Sequence, residues 1–205
     1  MAKIFSVSVK ASLAKVTDPV AGGLLRMGVS PNAVTILGTL GVLVGAGLAT
    51  QGWLVASVIV VTLSALTDIV DGAMARIRGG GGAYGALLDS TTDRISDGAV
   101  FGAVAYLLAV RGDHWGLAGA LISLVVGQVV SYVKARAEGL GLAMGHVGLI
   151  ERFERLAILG IGGMLTGFGV GWGLAAAVWL LAVLSVFTMV QRMVYAYRQD
   201  RAAGS

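Results

Sequence analysis

Four aspartates form two pairs on either side of a glycine-rich stretch, Asp68 with Asp71 and Asp89 with Asp93. The members of each pair are three or four residues apart, so on a helix each pair shares one face. Both pairs border long apolar stretches, where an uncompensated carboxylate costs about 3 kcal/mol. Carboxylate oxygens suit hard divalent cations, with Mg²⁺ the first choice and Mn²⁺ the second. The pattern therefore predicts a metal site that uses all four side chains.

The stretch between the pairs includes Gly79–Gly82, which can bend sharply because it has no side chains. Two antiparallel helices joined there would direct the four carboxylates to one point. Two cations held in this way lie about 3.5–4 Å apart and stabilise both the attacking and the leaving oxygen of a phosphate displacement. The structural alternative is capping of helix ends or pairing with nearby arginines. The nearby arginines are Arg76, Arg78 and Arg94. Capping or pairing would explain one or two of the aspartates but hardly four.

The composition is that of a membrane protein. The chain has 205 residues, of which 57% are hydrophobic and 13% charged, and its mean hydropathy is +0.86. A soluble domain of this balance would lack polar residues to cover its surface. We predict an all-α integral membrane protein with six transmembrane helices and no nucleic-acid partner. Windows of about 20 apolar residues place the spans near 33–50, 53–75, 86–110, 114–135, 155–171 and 173–195.

Basic residues lie almost entirely on one side of these spans. Fourteen of the fifteen lysines and arginines fall before the first span, around the second and fourth junctions, or at the end of the last span. Only Arg111 falls on the other side. The positive-inside rule then places both termini in the cytoplasm. The protein is expected to be a multi-pass protein of the cell membrane whose aspartates open to the cytoplasm.

The chain divides into three parts. In residues 1–30, Phe5, Val9 and Leu13 recur at helical spacing among polar residues, as in an amphipathic helix lying in the membrane interface. A short connecting helix is expected to start near Pro19. Residues 31–201 form the transmembrane domain, whose first span starts at about Pro31. Residues 202–205 are expected to be a disordered tail.

The pattern around the aspartates resembles the full signature of the CDP-alcohol phosphotransferases, with no departure at any signature position: Asp68-x2-Asp71-Gly72-x2-Ala75-Arg76-x8-Gly85-x3-Asp89-x3-Asp93. The hydropathy is similar too, so the resemblance covers most of the chain. It implies a membrane enzyme with six spans that transfers a phosphoalcohol from a CDP-linked donor to an acceptor hydroxyl and releases CMP. It also implies a homodimer.

The resemblance implies roles for the four aspartates. Asp68, Asp71 and Asp89 would bind metal. Asp93 would bind metal and also act as the general base, which takes the proton of the acceptor hydroxyl as that hydroxyl attacks the β-phosphorus. The metals would neutralise charge on the pyrophosphate.

A second set of residues is expected at the cytidine diphosphate. The resemblance places Gly72 there for close approach and Arg76 for a bidentate grip on phosphate, with Gly82 as a backbone contact in the bend. The start of the first span, residues 31–35, is similar to a family segment, and its helix N-terminus could offer backbone amides to the nucleotide. The alternative for this segment is simple helix initiation; its candidate residues are Pro31, Asn32, Ala33 and Val34.

Cations on three predicted spans suggest an acceptor-phosphate site. They lie towards the same cytoplasmic level, which suits a dianionic phosphate. The alternative is ordinary positive-inside flanking or contact with anionic lipid headgroups. The candidates, with one nearby hydroxyl, are Ser131, Lys134, Arg152, Arg155 and Arg192. Asp97, one turn after Asp93, either orients the metal ligands or pairs with Arg94 or Lys134.

Three further stretches, 93–101, 131–138 and 150–155, resemble the actinobacterial phosphatidylinositol phosphate synthases. That resemblance implies CDP-diacylglycerol as the donor, held among membrane lipids, and inositol 1-phosphate as the acceptor. The rival is phosphatidylglycerol phosphate synthase, which uses glycerol 3-phosphate, and composition and spacing do not separate the two. A different class of function is cation-coupled transport. Transport predicts acids near the midplane of two matching halves, whereas these cluster at one membrane face.

Overall fold

The computed structural model describes residues 17–80, 82–145 and 147–203, and these residues contain helices and no strand. Helix α1 covers residues 17–26 within this described part. The following helices are α2 (Pro31–Thr50), α3 (Leu54–Ala65), α4 (Thr67–Ile77), α5 (Ala83–Val110), α6 (His114–Gly139), α7 (Arg152–Gly167) and α8 (Gly173–Ala203). The amphipathic helix predicted before residue 17 lies outside the described residues.

Several helix boundaries agree with the sequence analysis, and two differ. Helix α2 begins at Pro31, and Gly28 lies after α1 with a φ of 81°. The predicted second span is interrupted, because the chain turns at Leu66 between α3 and α4. Helix α8 continues through Ala203, so residues 202 and 203 are helical, where a disordered tail was predicted.

Four helical stretches in the described part of the chain are long and apolar enough to cross a membrane: Pro31–Thr50, Leu54–Ile77, His114–Gly139 and Gly173–Ala202. The other two predicted spans correspond to α5 and α7. The first half of α5 carries Asp89, Asp93, Arg94 and Asp97, which lowers its hydropathy, and α7 has only 16 residues. The fold is therefore that of an all-helical membrane protein, and the structure supports four spans by length and composition.

The chain divides into two compact units, each formed by parts of the chain that are distant in sequence. The first contains the described residues up to Gly45 together with Ile59–Ser96. In its core, Ala21 of α1 packs with Val34, Ala73 and Met74, all buried. At Gly38 of α2, a Cβ atom would overlap the Thr67 hydroxyl oxygen. This close approach holds the N-terminal part of α2 against the junction of α3 and α4.

The second unit contains Ala46–Val58 and the chain from Asp97 onward. Helix α7 presents glycines to the start of α3: Cβ atoms built at Gly163 and Gly167 would lie 3.0 and 2.7 Å from Val58 and Val55 side-chain atoms. Side chains of α8 hold the loop between α6 and α7. Thr188 accepts a hydrogen bond from the backbone N–H of Ile150 at 3.3 Å. Glycine contacts and α8 hydrogen bonds therefore fix the position of α7.

Candidate functional site

The first turn of α2 forms one side of the aspartate region. The Ser30 hydroxyl oxygen accepts a hydrogen bond from the backbone N–H of Ala33 at 3.2 Å, as a helix-capping residue does. Asn32 lies between these two residues, and its side-chain oxygen would be 3.6 Å from a Cβ atom placed on Gly85. The predicted nucleotide segment and the start of α5 are therefore neighbours in the first unit.

Asp71 is at the centre of the aspartate region. It is 6% exposed, and its Oδ2 accepts a hydrogen bond from the Thr35 hydroxyl. Asp68 on the same helix and Asp89 on α5 lie close enough for their charges to act on it. A buried carboxylate is stable only with compensating hydrogen bonds or cations. Asp71 is therefore a buried carboxylate that has one hydroxyl donor and two acidic neighbours.

Asp93 lies one turn after Asp89 on α5, as its spacing predicted. Its Oδ2 is 3.9 Å from Nη2 of the neighbouring Arg94. Within residues 17–80, 82–145 and 147–203, no three carboxylate or imidazole groups already form a compact metal-binding cluster. Side-chain rotation on these helices would be needed to close the four carboxylates on a metal. The donor set still fits Mg²⁺ or Mn²⁺, because every donor is a hard oxygen.

The predicted nucleotide residues of α4 lie together. A Cβ atom at Gly72 would be 3.8 Å from Nη1 of Arg76, so the guanidinium lies near bare helix backbone. Beyond α4, Gly79 and Gly80 have φ values of 90° and 113°, a backbone region that favours glycine. Gly82 is exposed and immediately precedes α5. The bend leaves accessible backbone between the two aspartate helices.

In the second unit, one carboxylate holds two of the predicted acceptor-site arginines. Asp97 Oδ1 accepts from Nε of Arg152 at 3.1 Å, and Oδ2 accepts from Nη2 of Arg155 at 2.8 Å. Arg155 is 4% exposed and Asp97 is 3% exposed. From the sequence, Arg94 and Lys134 were the partners proposed for Asp97, and these two arginines were not predicted.

The other predicted acceptor residues lie on α6 and α8. Arg192 is 4% exposed, and it donates to the backbone oxygens of Val147 at 2.8 Å and Val130 at 2.7 Å. Ser131, next to Val130, donates to a backbone oxygen within α6. Lys134 is half-buried one turn further along α6. Arg192 therefore joins α8 to both α6 and the following loop.

Two side-chain interactions at the site were not predicted from the sequence. Thr35 ends the segment 31–35 that resembles the family, but nothing in its spacing pointed to its bond with Asp71. Asp97 was recognised as an extension of the aspartate face, but its bonds to α7 span 55 and 58 positions. Local periodicity predicts contacts within a helix and carries no information about a partner this distant.

Known proteins with similar sequences identify the family of this chain. The family model for CDP-alcohol phosphatidyltransferase matches residues 28–191. Phosphatidylinositol phosphate synthase of Mycobacterium tuberculosis (strain ATCC 25618 / H37Rv) is 49% identical over 194 residues, which cover 90% of this chain and 87% of the relative. The protein of the same name from Streptomyces avermitilis is 43% identical over 202 residues, which cover 95% and 83%.

Solved structures agree with the sequence match. The crystal structure of the Mycobacterium tuberculosis phosphatidylinositol phosphate synthase with CDP-DAG bound has a TM-score of 0.85 and 47% identity, and the match covers 90% of this chain and 94% of that one. The structure of that enzyme in complex with manganese and citrate has a TM-score of 0.83 at 47% identity, covering 88% of each chain. The resemblance seen in the aspartate spacing is confirmed, and the chain belongs to the CDP-alcohol phosphatidyltransferase family.

Proposed function

We propose that this protein is a phosphatidylinositol phosphate synthase, which transfers the phosphatidyl group of CDP-diacylglycerol to inositol 1-phosphate and releases CMP. The observation that carries the proposal is the environment of Asp71, a buried carboxylate with Asp68 and Asp89 close by, inside an intact family signature. Relatives that are 42–49% identical over about nine-tenths of this chain are named as enzymes of this activity. Membership of a transferase family also speaks against the transport alternative.

Asp68, Asp71, Asp89 and Asp93 hold two Mg²⁺ ions, for which Mn²⁺ can substitute. When bound, the ions neutralise the pyrophosphate and stabilise charge that develops in the displacement. The Thr35 hydroxyl fixes the orientation of the Asp71 carboxylate, as supporting hydrogen bonds do around metal ligands.

Asp93 is the general base. It takes the proton of an inositol hydroxyl while the oxygen of that hydroxyl bonds to the β-phosphorus of the donor. The bond between that phosphorus and the oxygen bridging to the α-phosphate breaks, and CMP leaves with the electron pair. Asp93 is 23% exposed at its side chain, so it can reach a proton on a ligand that enters from water.

The donor nucleotide is held by α4, the bend and the start of α2. Arg76 grips a phosphate, and Gly72 allows the ligand to approach the helix backbone closely. Gly82 contributes backbone in the bend. The first turn of α2 supplies amide donors at a helix N-terminus, and this turn comprises Pro31, Asn32, Ala33 and Val34.

The acceptor phosphate is held by cationic side chains of α6, α7 and α8. Two contacts bring these helices to one turn of α6: Arg192 donates to Val130, and Arg155 lies against Gly127. A dianionic phosphate needs several donors with fixed positions. The residues proposed for this role are Ser131, Lys134, Arg152, Arg155 and Arg192.

Four helical stretches among the described residues are long and apolar enough to cross the membrane. Helices α5 and α7 are the fifth and sixth spans. The distribution of lysine and arginine then places both termini and the active site on the cytoplasmic side. The acyl chains of the donor stay in the bilayer. A homodimer is the expected assembly, as implied by the family resemblance.

The test is CMP release by the purified protein in lipid or detergent, with CDP-diacylglycerol, Mg²⁺ and one acceptor at a time. Inositol 1-phosphate should give CMP and lipid product, whereas glycerol 3-phosphate, inositol and serine should not. Chelation of the metal should abolish turnover, and added Mg²⁺ or Mn²⁺ should restore it. Product with glycerol 3-phosphate alone would replace the acceptor while keeping the chemistry.

Asp93→Asn tests the base within the same assay. Loss of a positioned general base lowers kcat by about 10²- to 10⁴-fold. Asp200→Asn is the matched control, because Asp200 is an exposed aspartate near the end of α8. Full turnover in Asp93→Asn would contradict the assigned mechanism, and no CMP release by the wild-type protein with any acceptor would contradict the function itself.

A further inference from the structure

Asp97 is buried between two arginines of α7 and contacts each through a different carboxylate oxygen. The Arg155 contact is 2.8 Å and the Arg152 contact is 3.1 Å. Side-chain exposure is 5% for Asp97 and Arg155 but 21% for Arg152. The carboxylate therefore reaches one buried and one partly accessible guanidinium in the same unit.

The space that Arg155 occupies depends on a glycine of α6. A Cβ atom at Gly127 would overlap Nη1 of Arg155. One face of the guanidinium end thus lies against bare helix backbone while Nη2 is held by Asp97. Two independent features, a bare backbone position and a carboxylate, determine where this side chain lies.

Both arginines belong to the first turn of α7, which starts with a capping box between Glu151 and Glu154. Their spacing of three residues puts them on one face of that turn. The positive end of the helix dipole is also here, so without a carboxylate two guanidinium groups would repel each other and the helix end. Asp97 offsets this repulsion and restricts both long side chains to one arrangement.

A restricted arginine loses less conformational entropy when it binds a ligand. The contact with Arg152 uses Nε, one of the five N–H donors of the guanidinium. The bond at Nε determines the orientation of the Arg152 guanidinium. Because the side chain is partly exposed, a ligand can reach it from water. This arrangement is suited to recognising a phosphomonoester dianion.

We propose that Asp97 is a positioning residue for the acceptor phosphate, which it orders by holding Arg152 and Arg155, and that Gly127 is required because it makes room for Arg155. The proposal rests on the proposed function and names a part of the site that the aspartate signature does not include. Asp97 acts through the arginines and contacts neither the metals nor the reacting atoms.

The test compares Asp97→Asn with the wild-type protein in steady-state kinetics that vary the acceptor and the donor separately. Hydrogen bonds to charged groups correspond to a factor of about ten or more in binding. We expect the KM for inositol 1-phosphate to rise at least about tenfold, with the KM for CDP-diacylglycerol and kcat changed less than about threefold. Asp97→Glu keeps the charge and should recover part of the loss.

Glu154→Gln is the matched control for Asp97→Asn. It removes a carboxylate from the first turn of α7, but glutamine can keep the bond that Glu154 accepts from the backbone of Glu151. The acceptor KM should stay at its wild-type value. Stabilisation of each protein by inositol 1-phosphate during thermal unfolding gives a readout independent of turnover, and it should be lost in Asp97→Asn and retained in Glu154→Gln.

Gly127→Ala provides a second test if Asp97→Asn does not fold. Alanine favours the helix and changes no charge, but its Cβ would displace Arg155. The same selective rise in acceptor KM is expected. Gly139→Ala, on the same helix with open space around its Cβ position, should behave as wild type.

The outcomes separate the two proposals. An unchanged or lower acceptor KM in both Asp97→Asn and Gly127→Ala would overturn the positioning role and leave the proposed function intact. Equal losses for donor and acceptor, or a loss of kcat alone, would show a merely structural effect and overturn it as well. A wild-type protein that uses glycerol 3-phosphate would overturn the assigned acceptor, and the selective KM effect should then appear with that substrate. Absence of turnover with any phosphorylated acceptor would overturn both.

Discussion

The hydroxyl of Thr35 donates a hydrogen bond to Oδ2 of Asp71, although the two residues are 36 positions apart. The bond joins the N-terminal part of α2, just after its first turn, to the first aspartate pair. Thr35 therefore links the helix N-terminus proposed for the nucleotide with the residues proposed for the metals.

Thr35→Val removes this hydrogen bond while nearly preserving the shape of the side chain. Loss of a residue that supports a metal ligand commonly weakens metal affinity by about 10- to 100-fold. We expect the Mg²⁺ concentration for half-maximal CMP release to rise by about tenfold. A titration of activity against Mg²⁺ measures this, with Thr35→Ser, which keeps the hydroxyl, as the control. Equal Mg²⁺ requirements in the two variants would show that Thr35 does not support the metal site.

Gly72→Ala tests the close approach of the donor to α4. The new Cβ would be 3.8 Å from Nη1 of Arg76, an ordinary contact, so the fold should accept it. Alanine should even favour the helix by about 1 kcal/mol. We expect the KM for CDP-diacylglycerol to rise about tenfold, equivalent to about 1.4 kcal/mol, without a lower unfolding temperature. Gly102→Ala, with open space at its Cβ position, is the control; a normal donor KM in Gly72→Ala would exclude close approach at this position.

Gly38→Ala should destabilise the first unit. Its Cβ would overlap the Thr67 hydroxyl oxygen and lie 3.2 Å from the backbone oxygen of Ser64. Overpacking of this kind costs about 1–3 kcal/mol, because the backbone oxygen can move only with its helix. Thermal unfolding in detergent should show a lower transition temperature. Gly47→Ala on the same helix meets no atom within 4 Å, and an equal loss there would point to a cause other than this contact.

Arg192 and Gln199 both bond to backbone of the α6–α7 region, yet their removal should have different effects. Arg192→Met leaves one buried and one partly buried carbonyl oxygen without the arginine donor, at a cost of about 2–4 kcal/mol. Gln199 exchanges two hydrogen bonds with Ala143 in an exposed setting, where water replaces them, so Gln199→Ala should cost less than about 1 kcal/mol. Chemical unfolding of the two variants compares these losses. Similar losses would contradict a burial effect at Arg192.

Much of the helical architecture was predictable because its signals are local. Pro31 marked the start of α2, because proline is favoured in the first turn of a helix. The break at Leu66 was not predictable from hydropathy, because the apolar stretch continues through it. Hydropathy likewise suggested spans at α5 and α7. The charges in α5 and the short length of α7 exclude both from the four stretches that could span a membrane by length and composition.

The sequence by itself determined the chemistry of the site, since the spacing of Asp68, Asp71, Asp89 and Asp93 specifies both hard oxygen donors and shared helix faces. Only the tertiary structure decided which distant groups support them. Thr35 bonds to Asp71, and Asp97 bonds to Arg152 and Arg155, across more than thirty positions in each case. The physical reason is that periodicity reports the face on which a side chain lies, whereas its partner depends on how the helices pack.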